Sequence, residues 1–434
     1  MKKSILTVAI ALVTVCLAVA LTLYFNPFGS FFDELFNGGQ ADDSGFKADF
    51  TFYYGEKAEA LPDDATALLK SYFTDFYGTL SGANKNVSLS SLYSYNGASC
   101  YFDDLAIYAA QAYQEAMSTN LTFSECQIKL KVLSSASTDS GYLAVRLSQS
   151  VKIFYDLLPE GFCSESGIII HDFMLKMSSG KWQIYSHSAD GGLWSYSESL
   201  FESISLPHGY SANQLTADRL ESYYSSACEL AREQALANSA ALTTDKGAPL
   251  CTAQTYYDRD SAVKYAVQWA AGDRQIRNLN QYDSYDNDSA NFVSQCLAAG
   301  GLGFDLSGSD NKSLWKWYDS EQDYTGEAIG CTRSWYECDA FYRYCGSNLT
   351  GGIAAVPDVC PSLLEAGDVV QFLQTDPLTG ESTAAFEGII TAVTYGENGA
   401  KDFLITSHSP ELLNVPLSAI PCDGLRFIKI VGGR

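Results

Sequence analysis

Histidine is scarce in this chain. Its 434 residues carry four, at positions 171, 187, 208 and 408. Imidazole is the side chain best matched to proton transfer near neutral pH, so general-base chemistry has few places to reside. His171 and His187 fall on or near strand-like stretches and read as hydrogen-bonded structural residues. Of the 12 cysteines, Cys331, Cys338 and Cys345 recur every seven residues, a spacing that lines one face of a helix. A metal site needs a fourth ligand and tighter spacing, so these three read as structural thiols and no metal or other cofactor is implied. Asp286-Asn287-Asp288 resembles the start of a calcium loop, but the glycine and the closing glutamate of such a loop are missing. The zinc-protease, P-loop and serine-hydrolase-elbow signatures are absent from the sequence. The six Trp and 28 Tyr are able to stack on sugars, and are more economically core and rim residues.

The informative stretch begins at Tyr256. Tyr257-Asp258-Arg259 leads a helix with Ala262, Tyr265 and Ala266 on one side. The block Asp288-Ser289-Ala290-Asn291-Phe292-Val293-Ser294-Gln295-Cys296 follows, then Gly300-Gly301. Ser334-Trp335-Tyr336 opens a further helix through Phe341 and Tyr342. Ala366-Gly367-Asp368 turns into the apolar run Val369 to Phe372, and Gly388-Ile389-Ile390-Thr391 forms a second strand. Ser407-His408-Ser409 precedes Asn414 and Pro416.

These blocks, in this order over about residues 252–430, resemble the putative amidase domain family, a bacterial relative of the NlpC/P60 and CHAP cysteine peptidases. The resemblance implies a cysteine nucleophile at the start of the first helix, its thiol acidified by the helix dipole. It also implies a histidine on the first strand of a small sheet and a polar residue that orients it. At the nucleophile position this chain has Ser289, directly after Asp288. At the histidine position it has Phe386, or Glu387 if the register slips by one. His408 matches the later polar position, and Asp288, Asn291, Ser294 and Gln295 are the block's candidate binding residues. A serine hydroxyl needs a base, which would have to be His408 or Glu387. Cys296 lies two helical turns past Ser289 and reads as a core thiol.

The elements that must carry these residues follow from periodicity. Apolar residues from Ala65 to Leu80 repeat at helical spacing, with Pro62 and Asp63 at the start. A second helix is expected over 104–117, and strands over 127–132, 143–153, 173–177 and 182–184. This order resembles the cystatin-like or NTF2-like α+β roll. A long helix is expected over 211–240, followed by a linker from Thr243 to Pro249. The uncharged run from Ile5 to Phe25 spans roughly 30 Å, enough to cross a bilayer core. After Lys2 and Lys3 it reads as a signal-anchor with the rest of the chain outside, or as a cleaved secretory signal.

The expected fold class is therefore α+β, with an N-terminal transmembrane helix (1–25), a stalk (26–47), a roll (48–204), a connecting helix and linker (205–250) and a papain-like NlpC/P60-type domain (251–434). Setting Cys16 aside leaves an odd number of cysteines outside the membrane. At least one thiol is then unpaired within the chain, and an oxidising setting would pair some of the others. The formal charge, 27 − 51 = −24, repels phosphate backbones and argues against nucleic acid as a partner. Peptidoglycan peptide, a surface protein and the bacterial membrane are the partners this reading implies. The leading functional expectation is a pseudoenzyme that uses an inherited cleft for binding. The alternatives are an active amide hydrolase using Ser289, and a structural surface protein.

Overall fold

The computed structural model describes residues 46–83, 88–95, 97–119, 121–159, 162–205, 217–270, 276–306, 314–317, 331–396 and 399–434, with the backbone alone for 217–222. In chain order the strands are β1 (Lys47–Tyr54), β2 (Glu125–Ser137), β3 (Tyr142–Ile153), β4 (Ser164–Ser178), β5 (Lys181–Asp190), β6 (Ile353–Pro357), β7 (Val369–Thr375), β8 (Ser382–Tyr395), β9 (Lys401–Ser407), β10 (Glu411–Pro416) and β11 (Gly424–Gly433). The helices are α1 (Asp63–Leu80), α2 (Ala98–Met117), α3 (Gly192–Ser205), α4 (Ala217–Thr243), α5 (Arg259–Trp269), α6 (Ser289–Ala299), α7 (Arg333–Tyr336) and α8 (Cys338–Ser347).

All eleven strands belong to one sheet, ordered β1-β2-β3-β4-β10-β9-β8-β7-β11-β6, with β5 beside β4. The junction is β4, a strand of 15 residues. Its first residues pair antiparallel with β10, Gly167 opposite Glu411 and Glu165 opposite Leu413. Its later residues pair with β5 along the same edge. The expected class, α+β with a transmembrane helix, a self-contained roll and a separate papain-like domain, is thereby corrected. The fold is mixed α/β, built on one large sheet with eight helices among the described residues. The expected membrane span, 5–25, lies outside the described residues, as do most of the expected stalk and His208. Among the described residues no helix is long and apolar enough to cross a membrane.

Two further expectations change. The helix starting at Ser334 is two helices, because Glu337 takes an extended conformation (φ −114°, ψ 124°) between α7 and α8. Cys331 precedes both, so the three evenly spaced cysteines do not share one face. The eleven described cysteines are all free thiols.

Alternation along the C-terminal strands sorts their apolar residues to two faces. Val369, Ile389, Ile428 and Ile430 point to a core shared with α5, α6, α7 and α8. Val370, Phe372, Ile390, Phe403, Ile405 and Phe427 point the other way, against α2, α3 and α4. Helix α2 lies between two cores. Its Cys100, Ala106, Ile107 and Ala110 join the core under β2–β5, while Tyr101, Leu105, Ala109, Tyr113 and Met117 form an i, i+4 stripe over the C-terminal strands. Polar clamps seal this second contact. Asn238 of α4 donates to Tyr113 Oη (2.8 Å) and to the Cys422 carbonyl (3.0 Å). Gln234 bonds Tyr196 (2.7 Å) and Asp423 (2.6 Å).

The N-terminal half is thus the second wall of the C-terminal sheet. Burying each large apolar side chain there is worth about 1.5–3 kcal/mol. A fragment of residues 251–434 alone would expose all six back-face residues. It is expected to be insoluble, or to bind a hydrophobic dye and lack near-ultraviolet dichroism, where the whole chain does neither. A monodisperse fragment with native dichroism would contradict this arrangement.

Candidate active site

The first turn of α6 and the middle of β8 meet the start of α8. The block's Gly300 is fixed by packing: a Cβ there would lie 2.3 Å from the ring of Tyr257. This seats α6 against the loop before α5, whose first turn Asp258 caps through Ser261 N (3.2 Å). Gly388 lets β9 approach β8, since a Cβ would lie 2.5 Å from Ile405 Cγ2. These contacts set the relative height of Ser289 and Glu387.

Asp288, just before α6, is fully buried. Oδ1 accepts from Tyr285 N (3.0 Å) and Asn291 Nδ2 (2.8 Å). Oδ2 lies 2.8 Å from His408 Nδ1 and 2.8 Å from Arg277 Nε, the latter an ion pair. Arg277 also pairs with Glu411 (2.6 Å) at the β4–β10 junction. His408 Nε2 donates to the Trp269 carbonyl (2.8 Å), and its ring stacks on Phe292 at 3.8 Å. Both ring nitrogens are occupied, so neither can take a proton from a hydroxyl.

Ser289 Oγ bonds to Asn287 Oδ1 (3.1 Å), accepts from Glu387 N (3.3 Å) and lies 3.5 Å from Cys338 Sγ. None of these is a base. Glu387 is fully buried; its Oε2 accepts from Gln371 Nε2 (2.6 Å), and its Oε1 has no hydrogen-bond partner among the described residues. Burial pushes this carboxyl up to about 8, against a weaker opposing effect from Gln371. Burial first, and then Glu387, hold the Cys338 thiol well above its usual range. The same Gln371 amide donates to the Cys338 carbonyl (2.6 Å), fixing α8 to β7 and β8.

Phe386, the expected histidine position, points its side chain to the back face and stacks on Phe372 at 4.4 Å, while Glu387, one residue on, meets Ser289 through its backbone N. The candidate binding residues turn inward. Asn291 bonds the Asp283 carbonyl and Trp335 Nε1, Ser294 bonds Trp335 and Trp315, and Gln295 accepts from Tyr265. These bonds tie α6 to α5, to α7 and to the segments that hold Asp283 and Trp315. Cys296 is a fully buried core thiol. Sequence reasoning missed Cys338, Gln371 and Arg277. A usable signal existed for Gln371, a polar residue inside the apolar run Val369 to Phe372.

Residues 256–431 match the family model described as the putative amidase domain. The match covers less than half of the chain. No curated protein and no solved structure matches. Within the matched segment, burial disfavours the charged forms of both Cys338 and Glu387 beside the Ser289 hydroxyl. Among the described residues no group of three or more His, Cys, Asp or Glu is placed to hold a metal ion.

Two outcomes test this geometry. Glu387 is raised from 4.5 to about 8. Below 4.5 it is protonated whether folded or unfolded and costs nothing. Between 4.5 and 8 only the unfolded chain ionises, so stability falls as pH rises and the loss is complete near 8. Asp104, raised to about 7, and Asp402, raised to about 6, act in the same sense. Glu387→Gln is expected to stabilise the protein by about 2–4 kcal/mol at pH 8 and not at all below pH 4.5. Denaturant midpoints at the two pH values check this, and equal effects at both would refute it. Separately, Ser289→Cys places a sulfur near the Cys338 thiol, within a small shift of the roughly 2.05 Å disulfide length. Mild oxidation should join the two, seen as one cross-linked peptide by mass mapping and absent when Cys338→Ser is added.

Proposed function

We propose that the amidase-family segment is a catalytically degenerate relative of the NlpC/P60-type cysteine hydrolases, acting by binding and not by cleavage. The observation that supports this reading is the fate of the one histidine in the C-terminal half. His408 is held by Asp288 and the Trp269 carbonyl, leaving Ser289 without a histidine base among the described residues. A serine hydroxyl without a base within hydrogen-bond reach is a very weak nucleophile at neutral pH. The ligand class this reading carries over is a peptide, of peptidoglycan or of a surface protein.

One observation favours a second reading, hydrolysis through Ser289 with Glu387 as base. A carboxyl pushed up to about 8 is better matched to proton transfer than an ordinary one. Activity would then require the ionised form and would rise through pH 8. The degenerate reading expects no release of amine from peptidoglycan stem peptides between pH 6 and 9.5. It also expects peptide binding, measured by calorimetry, to persist in Ser289→Ala. Turnover that climbs through pH 8 and vanishes in both Ser289→Ala and Glu387→Gln would establish the hydrolase instead.

A further inference from the structure

A second buried polar system lies in the N-terminal half. Asp103 of α2 accepts from Trp194 Nε1 (3.0 Å) of α3 and from Tyr93 Oη, and lies 2.8 Å from His187 Nδ1 of β5. His187 Nε2 lies 2.9 Å from His171 Nδ1 on β4. His171 Nε2 lies 3.1 Å from Gln149 Oε1 on β3, and Gln149 Nε2 donates to Tyr77 Oη (2.6 Å) of α1. Tyr72 of α1 reaches His187 Nδ1 at 3.2 Å.

The protons can be counted along this chain. Gln149 uses its N–H on Tyr77, so its oxygen faces His171 and must accept; His171 Nε2 carries the proton. In the neutral ring His171 Nδ1 is then an acceptor, and His187 Nε2 donates to it. Asp103 accepts from Trp194 and Tyr93 and lies 2.8 Å from His187 Nδ1, so one proton is shared between this carboxyl and the ring. His171 has no room for a second proton. Its free lone pair is already the acceptor for His187, and the two rings are stacked, 5.2 Å apart and 12° from parallel. Its ring has no exposed surface.

We infer that Asp103, His187 and His171 form a one-proton latch: it holds a single shared proton, has no place for another, and so releases α1–α3 from β3–β5 in acid. Asp103–His187, Tyr72–His187 and Gln149–Tyr77 join the helix layer to the sheet, Asp103–Trp194 joins α2 to α3, and His187–His171–Gln149 runs across the strands between them. Because α2 and α3 also cover the back of the C-terminal strands, release would uncover both halves. Burial first, and the charge of His187 second, hold His171 well below 6.5. In the window below 6.5 the opened chain therefore takes a proton that the closed one refuses, and stability falls with pH. The other titratable groups around the latch are Tyr72 and Tyr77 of α1, Tyr93, and Cys100 and Asp104 of α2. Gln149 of β3 and Trp194 of α3 do not titrate, and Asp172 of β4 pairs with Arg146. Asp104, bonded to Ser88 and Leu89 N, is raised to about 7 and works in the opposite direction, so the latch is read as a difference between proteins.

The whole chain, labelled with ¹⁵N-histidine, is titrated from pH 7.5 to 4 while amide exchange of α1–α3 is followed by mass spectrometry. His171 is expected to remain singly protonated on Nε2 until protection of α1–α3 collapses, both in one step. The opening constants of the parent and of His171→Gln should diverge by about tenfold per pH unit below 6.5. Parallel slopes, or His171 taking its second proton while the helices stay protected, would overturn the latch. Should the variant fail to fold, the parent titration alone decides between these outcomes.

Discussion

A carboxylate taken out of water must find its full set of donors inside the protein, and Asp288 imposes that demand on everything around it. Meeting it takes the backbone of Tyr285, the amide of Asn291 and the imidazole of His408, with the guanidinium of Arg277 beside it as an ion pair. Arg277 extends the demand to Glu411, whose strand β10 is hydrogen-bonded to β4. The start of α6, the end of β9 and the seam between the two halves of the sheet are held by one charge network. Ser289 inherits its place from this network without receiving a base from it.

The same logic of coverage explains why the chain does not divide into two independent bodies. The C-terminal strands carry apolar residues on both faces, and the helices of their own half cover one. The other is covered by α2, α3 and α4, which approach from the N-terminal half with a stripe of Leu105, Ala109 and Tyr113. Helix α4, expected as a connection, is a packing element, because Asn238 and Gln234 satisfy polar groups of α2, α3 and the turn before β11.

What was legible in the sequence is local. Helical spacing located α1 and α2, and alternation located β2 to β5, since both signals repeat within a single element. The glycine-bounded motifs located α6, β7 and β8. What was not legible is non-local. Nothing in Lys47–Tyr54 marks it as a strand lying parallel to β2, more than seventy residues away in the chain. Nothing near Gly167 announces a partner at Glu411. The histidine position illustrates the limit. The spacing allowed Phe386 or Glu387, and only the pairing of Phe386 with Phe372 and of Glu387 with Gln371 separates the two. A shift of one residue exchanges the faces of a strand.

The composition of the candidate site and its burial explain each other. A thiolate–imidazolium pair enclosed without water would cost several kcal/mol per ion unless each charge were well satisfied. A hydroxyl, an undissociated thiol and a protonated carboxyl cost far less to enclose, about 1–3 kcal/mol for each that goes unbonded. Ser289, Cys338 and Glu387 are such a set, and all three are buried. The remaining cost is concentrated on Glu387, whose second oxygen finds no donor among the described residues and whose carboxyl is held neutral for that reason. The N-terminal latch shows the contrasting solution. There Asp103 is enclosed by three partners, Tyr93, Trp194 and the ring of His187. One buried acid is stabilised by partners and the other by losing its charge, and it is the second that stands where a base would be needed.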